Sequence, residues 1–224
     1  MPDLVALCRA VLADSTHPLY AVAWLVFAEK LSFKAADAIL SERKAQVIPF
    51  LLDLLETPEL YEETSLGAGW APVHAVELLG HWKVIEAVPS LLRILEKDDW
   101  MSLVHDRSLV ALEQMGPEIV EKLLPMAQQA TDAQLRRTLA TVLSEVGQGH
   151  AQVYAYIRSV LDEQRREEDV ADVADSLLRC NLEAATSLLQ TNMQNHRYTK
   201  RLQQTLERCI RDAQEDQASA SRPA

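Results

Sequence analysis

Glycine and cysteine are scarce in this chain, and each scarcity excludes a class of structure. Only 6 of the 224 residues are Gly and β-branched runs are few, whereas Ala, Leu, Glu, Gln and Arg are abundant, a composition that favours helix over strand. The 3 cysteines, Cys8, Cys180 and Cys209, lie far apart without a Cys-x-x-Cys pair. A disulfide framework and a thiolate zinc site are therefore not indicated, and a reducing compartment fits best.

Lys and Arg are fewer than Asp and Glu in this chain, and long apolar stretches are lacking. The 22 Lys and Arg against 33 Asp and Glu leave a net charge of −11, which repels a phosphate backbone or an anionic membrane. No apolar stretch approaches the roughly 18 residues that span a bilayer. Asp3 precedes the first apolar run and Arg9 interrupts it, which is not the pattern of a secretory signal. We expect a cytoplasmic protein.

Apolar residues recur three and four positions apart, as one face of a helix requires. The spacing is clear in residues 47–55, 91–95 and 135–143. Between such stretches lie residues typical of helix ends: a glycine followed by proline, or a side chain that accepts hydrogen bonds from the first amides. These positions are Gly116-Pro117, Thr131-Asp132, Thr16 with Pro18, and Asp98-Asp99. The chain is predicted to be all-α.

A repeat is visible in the helix ends. Gly80, Gly116, Gly147 and Asn181 close similar apolar segments at spacings of 36, 31 and 34 positions, enough for two short helices and two turns. Each is followed by a second apolar helix. The predicted second helices are Val84–Leu95, Pro117–Met126, Val153–Leu161 and Leu182–Leu189. An earlier, longer pair is predicted at Leu19–Leu31 and Ala45–Leu55, with a looser linker between its two helices. A closing helix is predicted at Arg197–Ala213.

These elements predict an all-α solenoid, an α-α superhelix of about five helix pairs plus a closing helix, as a single domain over residues 1–213. From Gln214 to Ala224 the periodicity is lost and small or polar residues dominate. We expect a disordered C-terminal tail over 214–224.

Residues 70–92 carry a family resemblance. The segment Trp70–Gly80 resembles the first helix of the HEAT-like repeats, including the short variety of phycobilisome lyases, and Glu86–Leu92 is similar to the second. The resemblance is best at residues 70–116, and residues 65–150 are well covered. Ala71–His74 followed by Gly80-His81 also resembles the ankyrin signature, but only once. The HEAT-like resemblance implies a protein-binding scaffold or, as an alternative, a lyase or chaperone-like protein acting on a chromophore-bearing protein.

Metal-ligating and catalytic patterns are weak. His74, His81 and His105 lie near acidic residues, but a metal site needs three or four convergent ligands. The His-Glu dipeptides of HEAT-like iron hydroxylases are absent, with His105-Asp106 the nearest approach. A phosphate-binding glycine loop and a nucleophile elbow are also absent. We expect no metal, no cofactor and no enzymatic activity.

A local group of arginines would suit the HEAT-like glycosylases that bind DNA, but acidic residues interleave with it, from Asp162 to Asp169. We interpret the group as a solvated face with pairs inside helices. Its members are Arg136, Arg137, Arg158, Arg165 and Arg166.

The residues predicted to bind a partner are tryptophans at one edge and polar residues on the second helices. Trp70 and Trp100 begin first helices at the same edge, whereas Trp82 lies in a turn. These tryptophans either pack between repeats or, for Trp70 and Trp100, contact a partner. The exposed polar candidates are Glu86, Ser90, Arg93, Glu118, Glu121 and Lys122. The sequence thus predicts a non-catalytic scaffold or adaptor for a protein or peptide, with neither nucleic acid nor membrane as partner.

Overall fold

The computed structural model describes residues 4–97 and 102–220, and every regular element in these ranges is helical. The all-α prediction is confirmed for this part of the chain. The residues group into two compact units, 1–116 and 117–224. The prediction of a single domain over 1–213 stays a prediction. None of the helices in the described ranges has both the length and the apolar composition that crossing a bilayer requires.

The helices of the first unit are α1 (Leu4–Ala13), α2 (Tyr20–Val26), α3 (Phe33–Leu55), α4 (Trp70–His81), α5 (Val88–Lys97) and α6 (Leu103–Met115). Helix α4 is the centre of this unit. It packs against α2, α3 and α6, while α5 packs against α6. Nearly all of α4 is buried, from Ala71 to Gly80. Two short 3₁₀ turns, Pro58–Tyr61 and Ile85–Ala87, precede α4 and α5.

Gly80 is needed for the close approach of α4 to α6. A Cβ atom at this position would lie 2.6 Å from both Cα and Cβ of Ala111, well inside the normal contact distance of about 3.5–4.0 Å between carbons. The sequence interpreted Gly80 as a turn residue, but it lies within α4, and the residue with positive φ is Lys83. Gly116, by contrast, ends α6 with φ of 77°, as predicted for a C-terminal cap.

The helices of the second unit are α7 (Val120–Gln129), α8 (Ala133–Val146), α9 (Ala151–Glu163), α10 (Glu167–Cys180), α11 (Leu182–Gln194) and α12 (Lys200–Ala220). A 3₁₀ turn at Gly116–Ile119 precedes α7. Helix α10 lies between α8 and α12 and packs against both. Helix α9 packs against both α8 and α10, and α11 packs against both α10 and α12.

Side-chain caps fix several helix starts. The Asp132 carboxylate accepts a hydrogen bond from the Leu135 amide at 2.7 Å, and Asn181 accepts one from the Ala184 amide at 3.1 Å. The Asp132 cap agrees with the sequence prediction. Asn181 was predicted to end a helix, which it does for α10, but its role as the cap of α11 was not predicted. The cap predicted at Thr16 is wrong, because its hydroxyl donates to Asp14 at 2.6 Å instead. Asp98 and Asp99 lie outside the described residues.

Four helical segments differ from the prediction. Helix α2 ends at Val26, five residues before the predicted end at Leu31. Helix α1 was not predicted, and the expected linker before Ala45 is helical, since α3 starts at Phe33 after the Ser32 cap and changes direction at Arg43. Helix α12 continues to Ala220, past the predicted start of a disordered tail at 214. Its last part consists largely of Ala, Gln, Glu and Asp; Ala, Gln and Glu favour helix without needing to be buried. Residues 221–224 are outside the described range.

Candidate functional site

The first unit contains a cleft of about 280 Å³ between the end of α3 and one face of α5. We call it the Arg93 cleft. It is the cavity in which two of the predicted partner-binding residues meet. The lining residues are Leu55, Glu56, Pro58, Tyr61, Ser90, Arg93, Ile94 and Lys97.

The pattern of α5 explains how Arg93 reaches this cleft. Leu91, Leu92, Ile94 and Leu95 are buried, so α5 rests on the core through a broad apolar face. Arg93 falls between them on the exposed side. Pro89 lies in the first turn of α5, where its missing N–H costs the helix no hydrogen bond.

Arg93 is held by two oxygen acceptors. Its guanidinium forms an ion pair with Glu56, the residue that ends α3, and donates to Ser90 Oγ at 3.0 Å. The hydrogen bond from Arg93 holds the pKa of the Glu56 carboxyl below its usual value. Arg93 and Glu56 side chains are 43% and 45% exposed, so solvent screens the pair and a competing anion can reach the guanidinium.

The floor of the cleft is apolar. Leu55 and Ile94 are both buried there, and Pro58 follows in the 3₁₀ turn after α3. The Tyr61 hydroxyl donates to the Leu55 carbonyl at 2.9 Å and ties this turn to the helix end. An apolar floor with polar groups at its rim is the usual composition of a binding cleft.

The first unit holds four of the predicted partner-binding residues in its described part. Glu86 and Arg93 are exposed, as predicted. Ser90 is not: it is 7% exposed. It lies one turn from Ala87 and Ile94 on the buried face of α5, so only its hydroxyl reaches Arg93. Trp70 is 39% exposed and stacks on His74, with ring centroids 5.6 Å apart.

The second unit holds the other three. Glu118 and Glu121 are exposed, while Lys122 is half-buried. The side chain of Glu121 lies near His150, with 3.9 Å between Oε1 and Nε2. These residues belong to a different unit from the Arg93 cleft.

Tryptophans divide into three cases. Trp82 is half-buried and donates from Nε1 to Asp37 Oδ1 at 2.9 Å, so it has a structural partner. Trp100 lies outside the described residues. Trp24, which was not singled out from the sequence, is 58% exposed on α2. Val22 and Val26 are buried, and the helical period places position 24 on the opposite face, a signal available in the sequence.

Two of the three histidines considered as metal ligands have polar partners within the fold, whereas Nδ1 of the third, His105, is buried without a hydrogen-bond partner among the described residues. His74 is buried with Nδ1 3.0 Å from the Val26 carbonyl, and His81 Nε2 lies 3.0 Å from Asp37 Oδ1. In residues 4–97 and 102–220, no three His, Cys, Asp or Glu side chains are grouped as metal ligands. The absence of a metal remains a prediction.

Two members of the arginine group predicted as a solvated face form ion pairs with acidic residues of other helices. Arg136 pairs with Glu163 at 2.9 Å and Arg137 with Asp169 at 3.6 Å. Both pairs connect neighbouring helices, not positions within one helix as the sequence suggested. Pairing of this kind lowers the positive charge that a phosphate backbone would meet.

Two thiols in the second unit are held in the protonated form. Burial raises the pKa of Cys180, whose Sγ lies 3.7 Å from the Gly147 carbonyl, and burial also raises the pKa of Cys209. A nucleophilic cysteine needs the opposite shift, because the thiolate is the reactive form.

Comparisons of the chain with protein-family models, with curated proteins and with solved structures found no match.

Proposed function

We propose that this chain is a non-catalytic protein-binding adaptor whose Arg93 cleft holds a short acidic segment of its partner. The observation that carries the proposal is the cleft itself. It combines a buried apolar floor, Leu55 and Ile94, with two cationic side chains at its rim, Arg93 and Lys97. Exposed guanidinium groups beside apolar surface are typical of residues that anchor protein interfaces.

The architecture we propose is a solenoid of HEAT-like helix pairs. Side-by-side packing of α4 with α6, and of α10 with both α8 and α12, supports it. The intervening α9 packs on the helices before and after it, as the second helix of a pair does. Such stacks leave a large exposed surface for each residue, and surface binding is the function this favours.

The volume and the charge of the Arg93 cleft indicate which chemical groups of a partner it would hold. A volume of about 280 Å³ lies just below the range of small-molecule sites, roughly 300–1,000 Å³. It suits one or two side chains of a peptide. An apolar side chain would contact Leu55 and Ile94, while a carboxylate would replace Glu56 as the partner of Arg93. Guanidinium binds a carboxylate through two parallel hydrogen bonds, which fixes its orientation.

The test is a selection of displayed random peptides on the immobilised full chain, followed by fluorescence anisotropy of the selected peptides. We expect peptides with an acidic residue close to an apolar one. Binding should weaken about tenfold or more in the double variant Arg93→Ala, Lys97→Ala. Loss of the exposed Arg93–Glu56 pair should change the free energy of unfolding by less than about 1 kcal/mol.

Arg107→Ala is the matched control. Arg107 is 45% exposed and pairs with Glu77 at 3.1 Å, so the control removes a comparable ion pair elsewhere in the same unit. A second arm, Glu121→Ala with Lys122→Ala, tests the residues of the other unit. If no peptide is enriched, or if the Arg93 variant and the Arg107 control bind equally well, the proposal is wrong.

A further inference from the structure

The second unit has a wide groove between α11 and the projecting end of α12, with a volume of about 1370 Å³. We call it the α11–α12 groove. Its residues are separate from those of the Arg93 cleft. Part of its floor is apolar, formed by Leu178, Leu182 and Ala213.

Each wall of the groove is one face of a helix. On α12 the lining positions include 209, 212, 213, 216 and 217, which recur three and four residues apart. On α11 they run from 182 to 190. Both walls are therefore about 12 Å long, since a helix rises about 1.5 Å per residue. A length of this order accommodates about two turns of another helix.

The packing of the unit leaves this position without a helix. Helix α10 is buried on several sides because α8, α9, α11 and α12 surround it. Helix α12 is buried along a single stripe, Leu202, Leu206 and Ile210, and its residues from 214 to 219 are exposed. Among the described residues, α12 packs mainly on α10 and α11 and its outer face stays exposed, whereas α10 is covered by α11.

The lining is acidic. Asp175 and Arg179 already form an ion pair, which Arg179 shares with Glu145. Glu183, Asp212 and Asp216 line the groove and make no ion pair among the described residues. Three carboxylates along two facing walls favour a cationic occupant.

A hydrogen-bonding group is also unsatisfied at this position. The Thr186 hydroxyl, on the α11 wall, has no hydrogen-bond partner in the described part of the chain. Buried hydroxyls are usually bonded. The oxygen is shielded from solvent, so a polar side chain of an occupant could reach it only after the Thr186 side chain rotates.

We propose that the α11–α12 groove docks a basic amphipathic helix of another protein, with its Lys or Arg side chains against Glu183, Asp212 and Asp216 and its apolar residues on the floor. The proposal is independent of the Arg93 cleft. It adds a second interaction surface, of opposite charge preference, to the same chain.

The experiment uses the full chain and two labelled peptides, each of about 15 residues so that a helix can form. One is rich in Ala and Leu and carries Lys along one face; the other carries Glu at the same positions. Anisotropy should show binding of the Lys peptide about tenfold or more tighter than that of the Glu peptide. Added salt should weaken binding, because exposed charges are screened.

Two charge-matched variants locate the site. Asp212→Lys with Asp216→Lys reverses the groove wall and should weaken the Lys peptide about tenfold. Glu207→Lys with Glu215→Lys makes the same change of net charge on exposed positions of α12 outside the lining, and should leave affinity within about twofold. Circular dichroism checks that both variants stay folded, as expected for exposed positions.

Three results would overturn the proposal. If the Lys peptide binds no better than the Glu peptide, the groove does not select basic helices and the proposal is wrong. If both variants lose affinity equally, the attraction comes from net charge alone. If sedimentation shows self-association of the wild type that Asp212→Lys with Asp216→Lys abolishes, the occupant is a second copy of this chain.

Discussion

Replacing Gly80 by alanine tests the close contact between α4 and α6, on which the first unit depends. The added Cβ would lie 2.6 Å from two carbons of Ala111, one of them in the backbone. Reaching a normal separation of about 3.5–4.0 Å requires the helices to move apart by about 1 Å.

Two opposing effects set the magnitude. Alanine in a helix interior is favoured over glycine by about 1 kcal/mol. Overpacking of a filled core costs about 1–3 kcal/mol, and the upper part applies here because Ala111 Cα cannot rotate away as a flexible side chain could. We therefore expect Gly80→Ala to lower the free energy of unfolding by about 1–2 kcal/mol. The corresponding fall in Tm is about 2–8 °C for a chain of this size.

Urea denaturation followed by circular dichroism measures the change. Ala111→Gly and the double variant complete a cycle that separates helix propensity from the steric overlap. The double variant should be less destabilised than the sum of the single variants by about 0.5–1 kcal/mol, because one of the two clashing carbons is gone. An increase in stability for Gly80→Ala would refute the close contact.

Other consequences follow from single side chains. Burial raises the pKa of Tyr156 to about 12, while the value in the unfolded chain is about 10. The contribution of this phenol to the free energy of unfolding is therefore complete below about pH 10 and is lost as pH rises towards 12. Urea titrations should show that Tyr156→Phe loses less stability than the wild type over this interval. The same variant removes the hydroxyl that donates to the Arg136 carbonyl at 3.1 Å, at a cost of about 1 kcal/mol at neutral pH. Trp70→Ala should lower the free energy of unfolding, measured with heat or urea, by about 1–2 kcal/mol. This is less than the roughly 3–5 kcal/mol typical of a buried tryptophan, because Trp70 is 39% exposed. Unchanged stability with lost partner binding would identify Trp70 as a contact residue instead. Elemental analysis should find no stoichiometric metal, and about one zinc or iron per chain, lost on His74→Ala or His105→Ala, would contradict this.

Local rules predicted much of the fold. Helix α5 was found from apolar spacing, the helix from Trp70 from the apolar segment that ends at Gly80, and Asp132 and Gly116 from capping chemistry, because these signals lie within a few residues of one another. Asn181 was predicted to end a helix, which it does for α10, but not to cap α11. The start of α3 was missed because its polar, Ala-rich turns have little apolar pattern, although Ser32 caps it.

The candidate site was predicted only in part. Arg93 was found as a polar position between apolar ones, and Ser90 was misassigned for the same reason, since a small hydroxyl tolerates the buried face of a helix. Glu56 and Tyr61, which complete the cleft, lie more than 30 positions away from Arg93 in the sequence. No local spacing connects them, and only the packing of α3 near α5 brings them together.

Hydrogen–deuterium exchange on the full chain tests the proposed adaptor function most directly. The ligand is a partner captured from the native host and then purified, and exchange is compared with and without it. Binding in the Arg93 cleft should slow exchange in residues 56–61 and 88–97, because an occupant must leave before either wall can open. Arg107→Ala should retain this protection, and Arg93→Ala with Lys97→Ala should lose it. Tight binding of the partner with unchanged exchange in both segments would contradict the assignment.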